Sequence, residues 1–336
     1  MKDFLKKKGI QPSFQSYIID ALSYMALGLF SSLIIGLIIQ TVGVQLHIPW
    51  LVSVGETAMS LVGPAIGVAV AYGLKAPRLV LFAAVISGAA GAELGGPAGA
   101  FIAALLSTEF GKLVSKETKI DIIVTPLVTI MTGVTVATVI GPGIQSGMQG
   151  FGQLVMWATE QQPFVMGIVV AVLMGLALTA PISSAAIAII LGLEGLAAGA
   201  AVVGCAAQMI GFAVSSYREN KLSGLIALGI GTSMLQIANV VKNPWILLPP
   251  TMAAAILGPV STVIFQMENS KEGAGMGTSG FVGQIMAFNT MGFTWDVAIM
   301  VLLMHFIGPA LISILLSEYL RKRGLIQFGD MKINQT

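Results

Sequence analysis

The sequence predicts an all-α protein that crosses the membrane many times, and three observations carry that reading. Of 336 residues, 56% are apolar and 10% charged, whereas ordinary soluble domains carry roughly 25% charge. Too little polar surface is left to cover one soluble core, which excludes a water-soluble enzyme. The apolar residues fall in long runs, several beyond the ~18 residues that mark a membrane span. The chain also holds 40 Gly with many Ala and Ser, small residues that let helices approach where lipid gives no hydrophobic drive to pack them. The runs predict about 8–10 transmembrane helices plus two helical hairpins.

Residues 1–17 begin the chain with Lys2, Lys6, Lys7 and Lys8. They are expected to be a cytoplasmic tail, because the next apolar run is too long for a cleavable signal and has no small-residue cleavage site. Apolar runs then fall near 18–40, 53–73, 79–111, 121–141, 164–180, 182–214, 222–241, 246–266, 279–294 and 297–317. Run 79–111 breaks at Gly-Ala-Glu-Leu-Gly-Gly-Pro (91–97), and run 182–214 at Gly-Leu-Glu-Gly-Leu (192–196). Each reads as a hairpin, either re-entrant or two full crossings. Residues 142–163 interleave Gln, Met and Trp with apolar residues and read as an amphipathic linker on the outer surface. That linker separates an N-terminal bundle (18–141) from a C-terminal bundle (164–317), which a second cytoplasmic tail (318–336) follows. The two breaks echo each other, each holding one Glu among small residues, as broken helices of transporter repeats do; shared Gly/Ala composition explains the echo equally well.

Threading the chain from an inner N-terminus puts both termini in the cytoplasm and the protein in the cell membrane. The clusters Lys75/Arg78, Lys112/Lys116/Lys119, Arg218/Lys221, Lys271 and Arg321/Lys322/Arg323 then join the N-terminal lysines inside. Of 17 Lys and Arg, only Lys242 lands outside, as the positive-inside rule asks. Trp50, Trp157, Trp245 and Trp295 all fall at outer ends of runs, where indoles favour the interface.

Polar residues inside a bilayer are costly and so are functional candidates. Glu93 and Glu194 sit at the hairpin breaks, where capping free backbone N–H groups is the competing reading. Asp20, Glu56 and Asp296 lie near run ends, within reach of headgroups. His305 is near the middle of the last run; it is either a core histidine bonded to a carbonyl or a proton or ligand contact. Ser233, Gln236, Asn239 and Asn243 are spaced 3, 3 and 4 apart before Pro244, which places them on one helix face. That face either glues helices or binds a polar solute. A glycine-rich turn follows with Thr278 and Ser279, then Gln284 and Asn289; open backbone at membrane depth belongs where protein buries it or a cavity needs it. No Gly-Lys-Ser/Thr follows those glycines, so a nucleotide site is not expected. Ser183, in Pro181-Ile-Ser-Ser184, marks a third polar break. The single cysteine, Cys205, reads as a packing residue, and with two His far apart it makes no zinc pattern. No metal and no cofactor are expected. The net charge of +2 singles out no partner, and nothing points to nucleic acid; the expected partners are the bilayer and a small polar solute.

Two segments carry a family resemblance. GPAIGVAVAYGLKAPRLVLFAAVISGAAGAELGGPAGAFIAALLSTEFGKLV (63–114) and IDIIVTPLVTIMTGVTVATVIGPGI (120–144) resemble the enzyme IIC membrane component of fructose-type phosphotransferase (PTS) sugar transporters. The stand-alone, enzyme-IIC-like proteins of the perfringolysin-regulator type are the most similar group. TAPISSAA (179–186), the Asn243-Pro244 stop and the glycine turn fall in the family's order. The resemblance implies a homodimer of about ten-helix protomers, one bundle forming the interface and the other carrying sugar by an elevator-like motion. It implies a cytoplasmic partner domain that phosphorylates the sugar. The family's Thr-Glu-Gly-Ala-Ile-Pro-Phe motif would begin at Ser233, Met234 and Leu235. Its Pro-His-Gly-Gly-Ile-Phe-Val turn reads Met276, Gly277, Thr278, Ser279, Gly280, Phe281, Val282. The motif's Glu and His are thus Met234 and Gly277, neither able to orient an acceptor hydroxyl or take its proton. Three functions are consistent with this: a sugar or sugar-like solute carrier without phosphotransfer, a membrane sensor or regulator derived from such a carrier, and a PTS permease working with separate EIIA and EIIB partners.

Overall fold

The computed structural model describes residues 2–10 and 13–333. Residues 1, 11 and 12 of the first expected tail, and 334–336 of the second, lie outside the described residues. The protein is an all-α polytopic membrane protein. Among the described residues, six helices are long and apolar enough to cross a membrane, or seven if a bent pair counts as one span. The chain divides into two compact units, Met1–Gly147 and Met148–Thr336.

In the first unit, α1 (Lys2–Lys7) precedes α2 (Gln15–Gln45), a 31-residue helix. The bent pair α3 (Pro49–Ser60) and α4 (Val62–Gly73), with 48° between them, runs back along α2. Gly36 meets Gly55, Gly28 meets Ala65, and Gly73 meets Tyr24, so the small residues set the helix separation. Helix α5 (Arg78–Val114) has 37 residues but is not one span, because it folds back at Gly95-Gly96. Gly96 takes φ 60°, ψ −155°, a conformation open to glycine. Gly91 and Gly99 then face each other so closely that a Cβ on either falls within 2.4 Å of the other's carbonyl oxygen. In a straight helix they would stand about 12 Å apart. The arms on either side of the break, 78–94 and 97–114, each rise about 26 Å, at the lower limit of what spans the ~30 Å hydrocarbon core, so both forms of the expected hairpin stay open. Helix α6 (Asp121–Thr159) runs 39 residues through Pro126 and Pro142. Residues 142–159 therefore continue a helix, and the division between units falls inside it. Lys8 pairs with Glu117, and Lys112 with Glu109 at 2.8 Å, which gathers the lysines of this unit at one end.

In the second unit, α7 (Pro163–Thr179), α9 (Gly195–Ser215), α12 (Pro244–Ile264) and α15 (Trp295–Lys322) form the bundle. Small residues again permit contact: Gly167 packs on Gly258, and Gly175 on Gly204. Three shorter pieces fold back within this bundle. Helix α8 (Ser184–Leu191) returns after the Pro181 turn; its 8 residues rise about 12 Å. The expected 182–214 hairpin thus has unequal arms, a half-crossing α8 and a full α9. Helix α10 (Tyr217–Ile226) continues as a π turn over 227–231, breaks at Thr232, and reverses through a 3₁₀ turn (Ser233–Gln236) into α11 (Ile237–Lys242). Finally, residues 267–291 dip in through α13 (Lys271–Ala274) and return as α14 (Val282–Met291). Asn269 pairs backbone to backbone with Gly195 at the start of α9, and Gly277 packs on Cys205 near its middle.

The topology expectation is corrected here. Runs 222–241 and 279–294 are not spans. The first folds back at 231–233, and the second is the return arm of the dip. Asn220 and Asn239, on opposite limbs of the first hairpin, both bond the C-terminal segment, at Met331 and Lys332. Asn243 bonds the Leu325 carbonyl. Lys242 and Trp245 therefore lie at the same end of this unit as Arg321–Arg323, not at the opposite one. Lys271, expected with the other cations, sits beside Asn269 at the far end.

Candidate functional site

The three fold-backs of the second unit end in polar tips, and the tips converge. Ala180, ahead of Pro181, is extended (ψ 161°), as a residue before proline must be, so α7 releases its last turn at Thr179. Thr232 is also extended and accepts the Met234 N–H on its hydroxyl at 3.2 Å, a cap that starts the Ser233 turn. Gly277, Gly280 and Phe281 all carry positive φ. At Gly277 an added Cβ would fall 2.7 Å from the Cys205 backbone, so only glycine lets this tip seat against α9.

The Thr179 and Ser233 hydroxyls are 2.8 Å apart. Gln208 of α9 reaches this pair with its Oε1, 3.4 Å from the Thr179 hydroxyl, and donates through Nε2 to Thr251 Oγ1 at 2.9 Å. The Ser184 hydroxyl donates to the Gly275 carbonyl at 2.7 Å. The 227–231 turn packs against the 279–281 turn, so second and third tips also meet. Gln284 donates to the Gly277 carbonyl at 3.2 Å and lies 3.0 Å from His305 Nδ1. Thr278 contacts Met209 Sδ at 3.5 Å. Ser279 Oγ and Gln284 Oε1 are buried without a hydrogen-bond partner, and buried polar atoms otherwise seek one.

The hydrogen-bonding N and O groups of this constellation are hydroxyls, amides and an imidazole, with no carboxylate and no ammonium. Such a set of groups can donate to and accept from sugar-like hydroxyls, and it offers no counter-charge to an anion. Among the described residues no group of three His, Cys, Asp or Glu could hold a metal ion.

Of the residues singled out by sequence, Ser233, Thr278, Ser279 and Gln284 are brought to this convergence, and Ser183 lies in the first tip. Gln236, Asn239 and Asn243 face the other way. Their amides bond Met331, Lys332, Leu325 and Asp330 of the C-terminal segment. Glu194 is exposed in the residue before α9, and Glu93 is exposed beside the α5 turn of the first unit. Asn289 is exposed as well. Sequence reasoning missed Thr179, Gln208 and Thr251, and named Ser184 only as part of the Pro181-Ile-Ser-Ser184 break. Gln208 carried a usable signal, as a lone amide inside a long apolar run; Thr179 stood two residues before a helix-ending proline.

A bundle of long helices interrupted by polar, helix-breaking tips that meet inside it defines a membrane permease for a polar solute. Residues 19–333 match the family described as phosphotransferase system, EIIC, and the chain belongs to that family of membrane sugar permeases. No curated protein and no solved structure matches the chain.

Proposed function

We propose that this chain carries a neutral sugar or sugar-like solute, bound where the tips at 179–184, 231–233 and 277–284 meet, without phosphorylating it. The single observation that carries the reading is the charge-free set of donors and acceptors around Thr179, Ser233 and Gln208. Met234 and Gly277 stand where the family resemblance puts an acid and a histidine, and neither can handle a hydroxyl proton. His305, tied to Gln284, is the imidazole that adjoins the tips. The homodimer and the elevator motion follow from the family resemblance. Their structural support is the division into two compact units, with all three tips in the second.

The charge pattern favours cytoplasmic termini. The lysine-rich end of the first unit holds Lys8, close to the start of the chain. The end of the second unit that holds Arg218, Lys221, Lys242 and Arg321–Arg323 also holds the segment 325–333, and Lys271 is the exception. Positive charge concentrates on the cytoplasmic side.

Uptake of labelled neutral sugars into membrane vesicles tests the function, with and without phosphoenolpyruvate and soluble phosphotransferase components. Uptake of unmodified sugar without the phosphoryl donor supports the reading. Accumulation only as sugar phosphate makes the chain a PTS permease working with EIIA and EIIB partners instead. Binding without uptake makes it a sensor.

A further inference from the structure

The polar face of α11 and its neighbours holds a peptide, and that peptide is the chain's own C-terminal segment. Asn220 and Gln236 both donate to the Met331 carbonyl, at 2.7 and 2.8 Å. Asn239 donates to the Lys332 carbonyl at 2.9 Å, and Asn243 to the Leu325 carbonyl at 2.9 Å. The Ile333 N–H donates back to Asn220 Oδ1 at 2.9 Å. Ile326, Met331 and Ile333 are buried against Phe212, Leu228 and Ile246. The Glu219 side chain is fully buried and accepts from Arg321 at 2.8 Å. Four side-chain amides thus grip main-chain carbonyls on one short segment. Asn220 comes from the inbound limb of the hairpin, and Gln236, Asn239 and Asn243 from the outbound limb and its end.

Gln236 closes the same 3₁₀ turn that begins with Ser233. Its bond to Met331 therefore fixes the turn that presents the Ser233 hydroxyl to Thr179. We propose that residues 325–333 are a strap that positions this tip, and that by holding it the strap sets the affinity of the solute site. The solute half of this inference rests on the proposed function; the positional half does not.

The test uses the full chain with Cys205→Ala and Ser233→Cys, labelled with N-ethylmaleimide. It is compared with a chain ending at Gly324 and with Gln236→Leu/Asn239→Leu. Loss of the strap is expected to raise the labelling rate at least tenfold, while the isosteric control Ser261→Cys, buried on α12, stays protected. A synthetic 325–333 peptide is expected to slow labelling of the shortened chain again. Unchanged labelling at position 233 overturns the inference, and so does equal labelling at 261, because the bundle has then merely loosened. Binding of a neutral sugar is measured separately on chains that keep Ser233, and there the shortened chain and Gln236→Leu/Asn239→Leu are expected to weaken it about tenfold. Unchanged sugar affinity in the strap variants overturns the inference and leaves the proposed function standing. A loosened tip at position 233, together with a full-length chain that keeps Ser233 and binds no sugar, upholds the strap and defeats the proposed function.

Discussion

The Ser233 hydroxyl lies 2.8 Å from the Thr179 hydroxyl across 54 residues of sequence, and each belongs to a helix that stops inside the bundle. One tip enters from the tail end and the other from the far end. Bonding between them closes a polar centre that neither hairpin makes alone, and the predictions below follow from that centre and its supports.

Gln208→Ala removes the amide that joins the Thr179–Ser233 pair to Thr251. Polar bonds between membrane helices are worth about 0.6 kcal/mol on average, with a ceiling near 2, so the folded bundle is expected to survive. Solute affinity, by contrast, is expected to fall about tenfold, about 1.4 kcal/mol, as read by equilibrium binding.

His305→Phe leaves the Gln284 amide, already short of one partner, without its imidazole contact. A buried polar group stripped of its partner costs about 1–3 kcal/mol. Thermal unfolding in detergent is expected to move down accordingly, with His305→Asn moving it less.

Gly91→Ala is expected to destabilise the first unit, because its Cβ would fall 2.4 Å from the Gly99 carbonyl oxygen. Overpacking of this kind costs about 1–3 kcal/mol. Gly143→Ala, where nothing lies within 4 Å, is expected to leave unfolding unchanged or slightly raised, since alanine favours helix by about 1 kcal/mol.

Side-specific labelling separates the observed topology from the one read off hydropathy. In a Cys205→Ala chain, Lys242→Cys and Arg323→Cys are expected to react with an impermeant maleimide from one face of the membrane. Glu272→Cys is expected to react from the other; all three positions are exposed. Labelling of positions 242 and 323 from opposite faces contradicts the fold-back at Thr232.

Much of this architecture was legible in the sequence, for physical reasons that also mark where legibility ended. The Gly95-Gly96 turn showed because two glycines and a proline interrupt a long apolar run. Ser233, Thr278, Ser279 and Gln284 showed because hydroxyls and amides beside helix breakers are costly in lipid. The reversal at Thr232 did not show. A hydropathy window sums residues 222–241 identically whether they cross or fold back. That one reversal moved Lys242, Trp245 and Lys271 to the ends opposite those expected. The partner of the Gln236–Asn243 face was also hidden, since Gln236 meets Met331 95 residues away. Periodicity placed these amides on one face but could not distinguish a solute from a peptide as what that face binds.

The most direct test of the proposed carrier is thermal unfolding of the purified protein against neutral sugars, polyols, sugar phosphates and small acids. A ligand bound only by the folded form adds about 2.7 kcal/mol of stability at a hundredfold excess over its dissociation constant. A rise in midpoint is expected with an unphosphorylated sugar, and loss of that rise in Gln208→Ala/Ser233→Ala. A rise produced only by sugar phosphates or acids, or one that persists in the double variant, would contradict the proposed carrier.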